Sequence, residues 1–276
     1  MNLVDLLANP QPLPSSPRVL ALLSTELKQA QPDLRRIDQF IKADPVLSLR
    51  VLQAANEPSF ALSGEVSCVS EALALLHLDQ VQDMVSLALG QISFKVSAGL
   101  PLAQFCAYSQ DCARVARALA GLLQYKQQAA YVAGLIHGLG EMVMRGASPK
   151  VSELDDSCAA LELNRALVER QAFGFCYLDV SSALAKQAQL PQILCDALAY
   201  ADAPFDNEAC EPLAAVLHLA QWRARANQLG LQKNALTVTF PSVVADMMGL
   251  DIDMVLQQDP IDWSRQAGRM PVATPT

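Results

Sequence analysis

The stretch AAYVAGLIHGLGEMVMR, residues 129–145, reads as one apolar helix with a single imidazole, His137, near its middle. Steps of three and four residues from His137 reach Ala130, Ala133, Gly134, Glu141 and Met144. The face around the ring is therefore small and apolar, with one carboxylate a turn away. A lone histidine on such a face is ordinarily a hydrogen-bonded core residue. Two readings compete: the helix of a catalytic metal centre, or a helix whose metal site has been lost and whose fold now serves binding.

Outward from this helix, the composition favours more of the same. Of 276 residues, 52% are hydrophobic and only 5% aromatic, and Ala and Leu are abundant. That balance fits helix-on-helix packing better than a sheet, so the expected fold class is all-α. The formal net charge is −8 and no basic run exceeds Arg35-Arg36, which argues against binding a nucleic-acid backbone. The seven cysteines (Cys68, Cys106, Cys112, Cys158, Cys176, Cys195 and Cys210) are scattered and never form a C-x-x-C pair. They read as reduced thiols of a cytoplasmic protein. The N-terminus has no signal-peptide pattern, and no uncharged run approaches the ~20 residues of a membrane helix.

Along the chain, four prolines between residues 9 and 17 exclude regular structure until Ser16-Pro17 opens a helix with Leu20, Leu23 and Leu27 on its buried stripe. Asp33 caps the next helix. Asp44-Pro45 then acts as N-cap and N1 proline of a helix apolar nearly all round, which must be buried. Asn56 ends that helix as a left-handed C-cap, with Pro58 just beyond. A long helix is expected from Asp79 to about residue 96, and the Gly- and Pro-containing segment 97–101 marks a boundary between lobes. Helices at 102–124 and 127–145 form a hairpin, followed by a polar loop at 146–156. Further helices are expected near 159–171, 179–189, 191–200 and 212–228. LTVTF at 236–240 is the only strand-like run, and without a visible partner strand it reads as an extended connector. Short helices at 242–248 and 251–257 close the chain, and a mobile tail is expected after Trp263.

Local catalytic signals are weak. The three histidines, His77, His137 and His218, form no His-x-x-His or His-Asp pair, whereas a metal needs several ligands within about 2.0–2.6 Å. Gly138 and Gly140 sit in an apolar helical pattern with no preceding strand, so close helix packing explains them better than a phosphate loop. There is no G-x-S-x-G elbow, and no cysteine has a basic setting that marks a nucleophile.

Taken together, several blocks resemble the HDOD family, the HD-related output domains of bacterial signalling proteins. These blocks are Leu13-Pro14, Ala43-Asp44-Pro45, RVLQAANEPSF (50–60), VSEALALLHLDQV (69–81), AYVAGLIHGLGEMVM (130–144) and FCYLDVSSALAKQAQLP (175–191). Asp44, Pro45 and Asn56 belong to the structural motif of the family. His77 stands where the family usually has glycine, and no function is attached to it. The resemblance implies a two-lobed helical HDOD fold: an N-terminal lobe (1–97), an HD-like lobe (98–204) and a C-terminal helical extension (205–276).

The resemblance also relates the chain to metal-dependent HD phosphohydrolases, whose catalytic members bind metal through several His and Asp residues. Carried over by position, the His-Asp pair falls on His137-Gly138, so the bridging aspartate is missing. The upstream family histidine falls near Asp111, the histidine of the 175–191 block on Tyr177, and a later His-His pair on Ala201-Asp202. Only His137 survives from that ligand set, and no metal or other cofactor is expected. The resulting expectation is a noncatalytic regulatory module that binds a protein partner or a small ligand, with His137, Asp111, Tyr177, Asp202 and Glu141 lining the old pocket. A divergent HD phosphohydrolase is the second reading and a cyclic-nucleotide sensor the third. No Lys or Arg stands at positions 111, 177 or 202, which disfavours a phosphate-rich ligand there and favours recognition through apolar or acidic surface.

Overall fold

The computed structural model describes residues 2–8, 12–59, 64–90, 100–205 and 211–257. Among these residues every regular element is helical. The N-terminal helices are α1 (Leu3–Ala8), α2 (Pro17–Leu27), α3 (Leu34–Lys42), α4 (Pro45–Ala55), α5 (Val69–Leu75) and α6 (Leu78–Gly90). The central group comprises α7 (Leu102–Leu122), α8 (Gln127–Ile136), α9 (Leu139–Ala147), α10 (Lys150–Glu153), α11 (Arg165–Phe173), α12 (Tyr177–Gln187), α13 (Gln192–Ala199) and α14 (Pro212–Gln228). Three short helices follow: α15 (Lys233–Thr239), α16 (Ser242–Met247) and α17 (Ile252–Gln257). Most of the 97–101 segment, Cys210 and the tail after Trp263 lie outside the described residues.

Apolar periodicity is converted directly into burial. Leu20, Leu23 and Leu27 of α2 and Ile37 and Ile41 of α3 are buried, as is nearly the whole circumference of α4. Asp44 caps α4 by accepting the N–H groups of Val46 and Leu47 at 2.9 and 3.0 Å, satisfying two donors that the first helical turn leaves free. Its other oxygen accepts from Ser16 N at 2.6 Å, so the cap of α4 also holds the entrance to α2.

Packing in the central group depends on small residues. A Cβ on Gly134 would meet Ala113 Cα at 2.7 Å, which lets α8 lie close along α7. Helix α14 belongs to this same core: Trp222 is buried, and the Tyr108 hydroxyl of α7 reaches the Gln221 carbonyl.

Five local expectations are corrected. The 129–145 helix is two helices, broken at His137-Gly138, because Ser181 of α12 enters its backbone ladder. The Ser181 hydroxyl donates to His137 O at 2.6 Å and accepts from Gly140 N at 2.8 Å. Asn56 is not a left-handed cap: its φ is −97°, and its buried amide donates to Leu52 O and Val66 O while accepting from Val66 N. It pins the end of α4 to the approach of α5. The 146–156 loop contains α10 and a 3-10 turn at Leu154–Asp156, held by arginines described below. Helix α11 begins only at Arg165, since Leu161 sits at φ 60° in the left-handed region. Finally, most of the LTVTF run lies in α15. The Thr237 and Thr239 hydroxyls bond carbonyls four residues back, and Trp222 packs edge-on against Phe240 while donating to Thr239, so tertiary packing overrides strand propensity.

Candidate functional site

His137 occupies the junction between α8 and α9 and is fully buried. Its Nδ1 lies 2.8 Å from Gly134 O, which places the ring proton on that nitrogen because a carbonyl only accepts. The Tyr108 ring stands edge-on at 5.4 Å. Nε2 is buried and has no hydrogen-bond partner among the described residues. Burial pushes the imidazole down to about 4, only partly opposed by the Gly134 carbonyl, so the ring is neutral at physiological pH.

The neighbouring position is closed sterically. A Cβ on Gly138 would stand 2.9 Å from Phe105 Cε2 and 3.3 Å from Leu161 Cδ2, inside the apolar core. Gly140 is constrained more tightly still, since a Cβ there would collide with the backbone carbonyl of Tyr177. Both glycines are used for close helix contact.

Among the other expected site residues, the three carboxylates pair with arginines. Asp111 on α7 faces Arg114 at 3.6 Å. Asp202, in the turn after α13, pairs with Arg170, which also bonds Asp179 at 3.2 Å. A cation therefore stands beside both carboxylates, which corrects the premise that these positions lack positive charge. Sequence distance hid one of these pairs: Arg170 and Asp202 are 32 residues apart. Tyr177 begins α12, is buried, and has its phenol pushed up by burial and by Tyr108, Cys176 and Glu169 in turn.

Glu141 belongs to a buried ionic cluster. Its Oε1 accepts from Arg145 Nε at 2.7 Å and from Arg165 at 3.0 Å. Arg165 also bonds Asp155 at 3.0 Å, Glu169 at 2.8 Å, and the carbonyls of Val151 and Cys158. One guanidinium thus ties α9, the 3-10 turn and α11. The sequence carried a signal for this cluster, the i,i+4 pairs Glu141/Arg145 and Arg165/Glu169, but not their convergence.

The remaining candidates are structural by contact. His218 Nδ1 pairs with Ala201 O at 2.8 Å, and burial lowers its pKa. His77 is exposed, and its backbone N–H donates to Gln80 at the start of α6. Cys106 and Cys176 are pushed up to about 12, first by burial, which removes them as nucleophiles.

The family resemblance would imply a divalent metal near His137, and the residues here do not fit one. Among the described residues no group of three His, Cys, Asp or Glu side chains is arranged to hold an ion. The available carboxylates are committed to arginines, and the bridging-acid position is packed against Phe105. No step through a metal follows from this arrangement.

Comparison with known proteins agrees with the architecture. A family model described as "HDOD domain" matches residues 13–204. The MmoQ response regulator of Methylococcus capsulatus str. Bath superposes with a TM-score of 0.70 at 21% identity, covering 90% of this chain and 98% of that one. A virulence factor (cj0248) of Campylobacter jejuni gives 0.65 at 18% identity, with coverages of 94% and 95%. An HDOD domain protein with unknown function from Geobacter sulfurreducens gives 0.51 at 22%, with coverages of 92% and 90%. At these identities the likeness concerns the fold. No curated protein matches the chain. No helix among the described residues is long and apolar enough to cross a membrane.

Proposed function

The chain belongs to the HDOD domain family, and from that premise we propose that it is a noncatalytic regulatory module, acting in the cytoplasm by binding a protein partner or a small ligand. The observation that carries this reading is the packing at His137-Gly138. The surviving imidazole is neutral and bonded to its own helix, and the space a bridging aspartate needs is filled by Phe105 and Leu161. A hydrolytic site requires a metal-held water or a positioned base within reach of substrate, and neither is supported by these contacts. What the fold retains is a rigid helical scaffold whose surface clefts are free to recognise something else.

The experiment is a phosphodiester hydrolysis assay on the full chain with added manganese, run beside His137→Ala. The expected result is equal background turnover in both proteins. A several-hundredfold loss on His137→Ala would overturn the noncatalytic reading and bring the phosphohydrolase reading forward.

A further inference from the structure

We propose that a cleft between the N-terminal helices and the α7–α8 hairpin is a binding site for a small phosphorylated ligand; the proposal rests on the binding-module reading and names the ligand class. The cleft has a volume of about 330 Å³. One wall comes from α3 through Gln39 and Lys42, and the other from α7 and α8 through Arg114, Arg117, Gln128 and Tyr131. Three cationic side chains thus meet in one concavity of a chain whose net charge is −8. Such a local reversal of sign is how a protein raises the concentration of an anion at one place.

Lys42 Nζ contacts Asp38 at 2.7 Å and the Ser70 hydroxyl at 2.7 Å, and Arg114 faces Asp111 at 3.6 Å. Arg117 makes no ion pair among the described residues; its guanidinium lies 5.6 Å from the centre of the Tyr131 ring. Three cations against two carboxylates leave one positive charge in excess. The Arg114–Asp111 contact is too long for a good hydrogen bond, so Asp111 holds that guanidinium only loosely. A phosphoryl group offers the oxygens that such a guanidinium lacks, and planar arginine forks match phosphate better than they match a single-point anion. The Gln39 and Gln128 amides and the Tyr131 phenol supply neutral polar groups around them. The volume is at the small end of ligand pockets, which run from roughly 300 to 1,000 Å³, so a compact phosphate compound fits and a large dinucleotide does not.

The position of the cleft also gives binding a structural consequence. Gln110 of α7 already donates to Ala43 O at the end of α3, at 2.7 Å, across the same seam. A phosphate held by Lys42 on one side and Arg114 or Arg117 on the other adds a second tie between these helices. Ligand binding would then register as a rise in melting temperature.

The test is titration calorimetry of the full chain with pyrophosphate at low salt, with melting curves of every protein. Binding is expected in the wild type, with a rise in melting temperature. Arg117→Gln and the Arg114→Gln/Arg117→Gln pair should weaken it at least tenfold. Lys150→Gln, an exposed cation on α10, should leave it unchanged. Citrate at the same concentration should bind more weakly than pyrophosphate. No heat and no thermal shift at millimolar pyrophosphate would overturn the proposal, as would equal loss in Lys150→Gln or tighter binding of citrate. Orthophosphate release is measured in the same samples. Turnover would overturn the noncatalytic reading while leaving the site itself supported.

Discussion

Phe105 on α7 lies where the side chain of residue 138 would project: a Cβ on Gly138 would stand 2.9 Å from its Cε2. The aromatic ring and the glycine are therefore a matched pair. Placing an aspartate at position 138 should not create a metal centre, because the carboxylate would enter a filled, apolar space. Gly138→Asp is expected to destabilise the fold by several kcal/mol, from overpacking at about 1–3 kcal/mol and from burying a carboxyl group without partners. Chemical denaturation measures the cost. Elemental analysis of the variant after mild chelation should find no stoichiometric manganese, iron or zinc, and finding one would show that the core can open to ligate metal.

His137→Ala tests the core role of the imidazole. Loss of the Gly134 hydrogen bond and of the packing against Tyr108 should cost about 2–4 kcal/mol at neutral pH. The pH dependence carries a clear sign. The folded pKa, about 4, is below the unfolded value near 6.5, so the unfolded chain takes up the proton first as pH falls. The contribution of His137 is fully present above pH 6.5 and is lost progressively down to about pH 4, a change of roughly 3 kcal/mol. The gap between wild type and His137→Ala should narrow over that window. A gap that stays constant would mean the ring is not held neutral.

Asp44 holds two helix entrances, so its replacement should exceed an ordinary cap loss. Asp44→Ala removes the acceptor of Val46 N, Leu47 N and Ser16 N at a position with no solvent exposure. A cap alone is worth roughly 0.5–2 kcal/mol, and a stranded buried donor adds about 1–3 kcal/mol. The expected total is about 2–4 kcal/mol, read from urea unfolding. A cost below 0.5 kcal/mol would show that Asp44 is not serving these contacts.

Arg165 and Glu169 should respond in opposite degrees. Arg165→Leu leaves Glu141, Asp155 and Glu169 around an uncharged side chain, and removing one partner from a buried ionic cluster costs about 3–5 kcal/mol. Glu169→Gln should be far milder. Burial, then the hydrogen bond and charge of Glu141, push its carboxyl up to about 9 and so favour the neutral form that Gln mimics. Because this folded pKa lies above the unfolded one of 4.5, its contribution is complete below pH 4.5 and is lost as pH rises through about 9. The stability profile of Glu169→Gln should be flatter across that range, and an unchanged profile would assign the slope to another group.

The periodic apolar residues, the Asp33 and Asp44 caps and the proline breaks determined an all-α chain, since these signals act within a turn or two of helix and need no distant partner. The motif blocks likewise carried the HDOD resemblance that the family model matches over residues 13–204. The break in the 129–145 helix was decided by Ser181, 44 residues away from His137 in sequence, and the helical state of most of 236–240 by packing of Trp222 against Phe240. The same limit applied to charge. Arg114 is three residues from Asp111, within reach of a pattern, whereas Arg170 meets Asp202 and Lys42 comes to share a cleft with Arg117 only because the helices pack. Local hydrogen bonding and periodicity are properties of neighbouring residues, but which side chains share a buried space is set by the packing of the whole chain, and tertiary structure alone decides it.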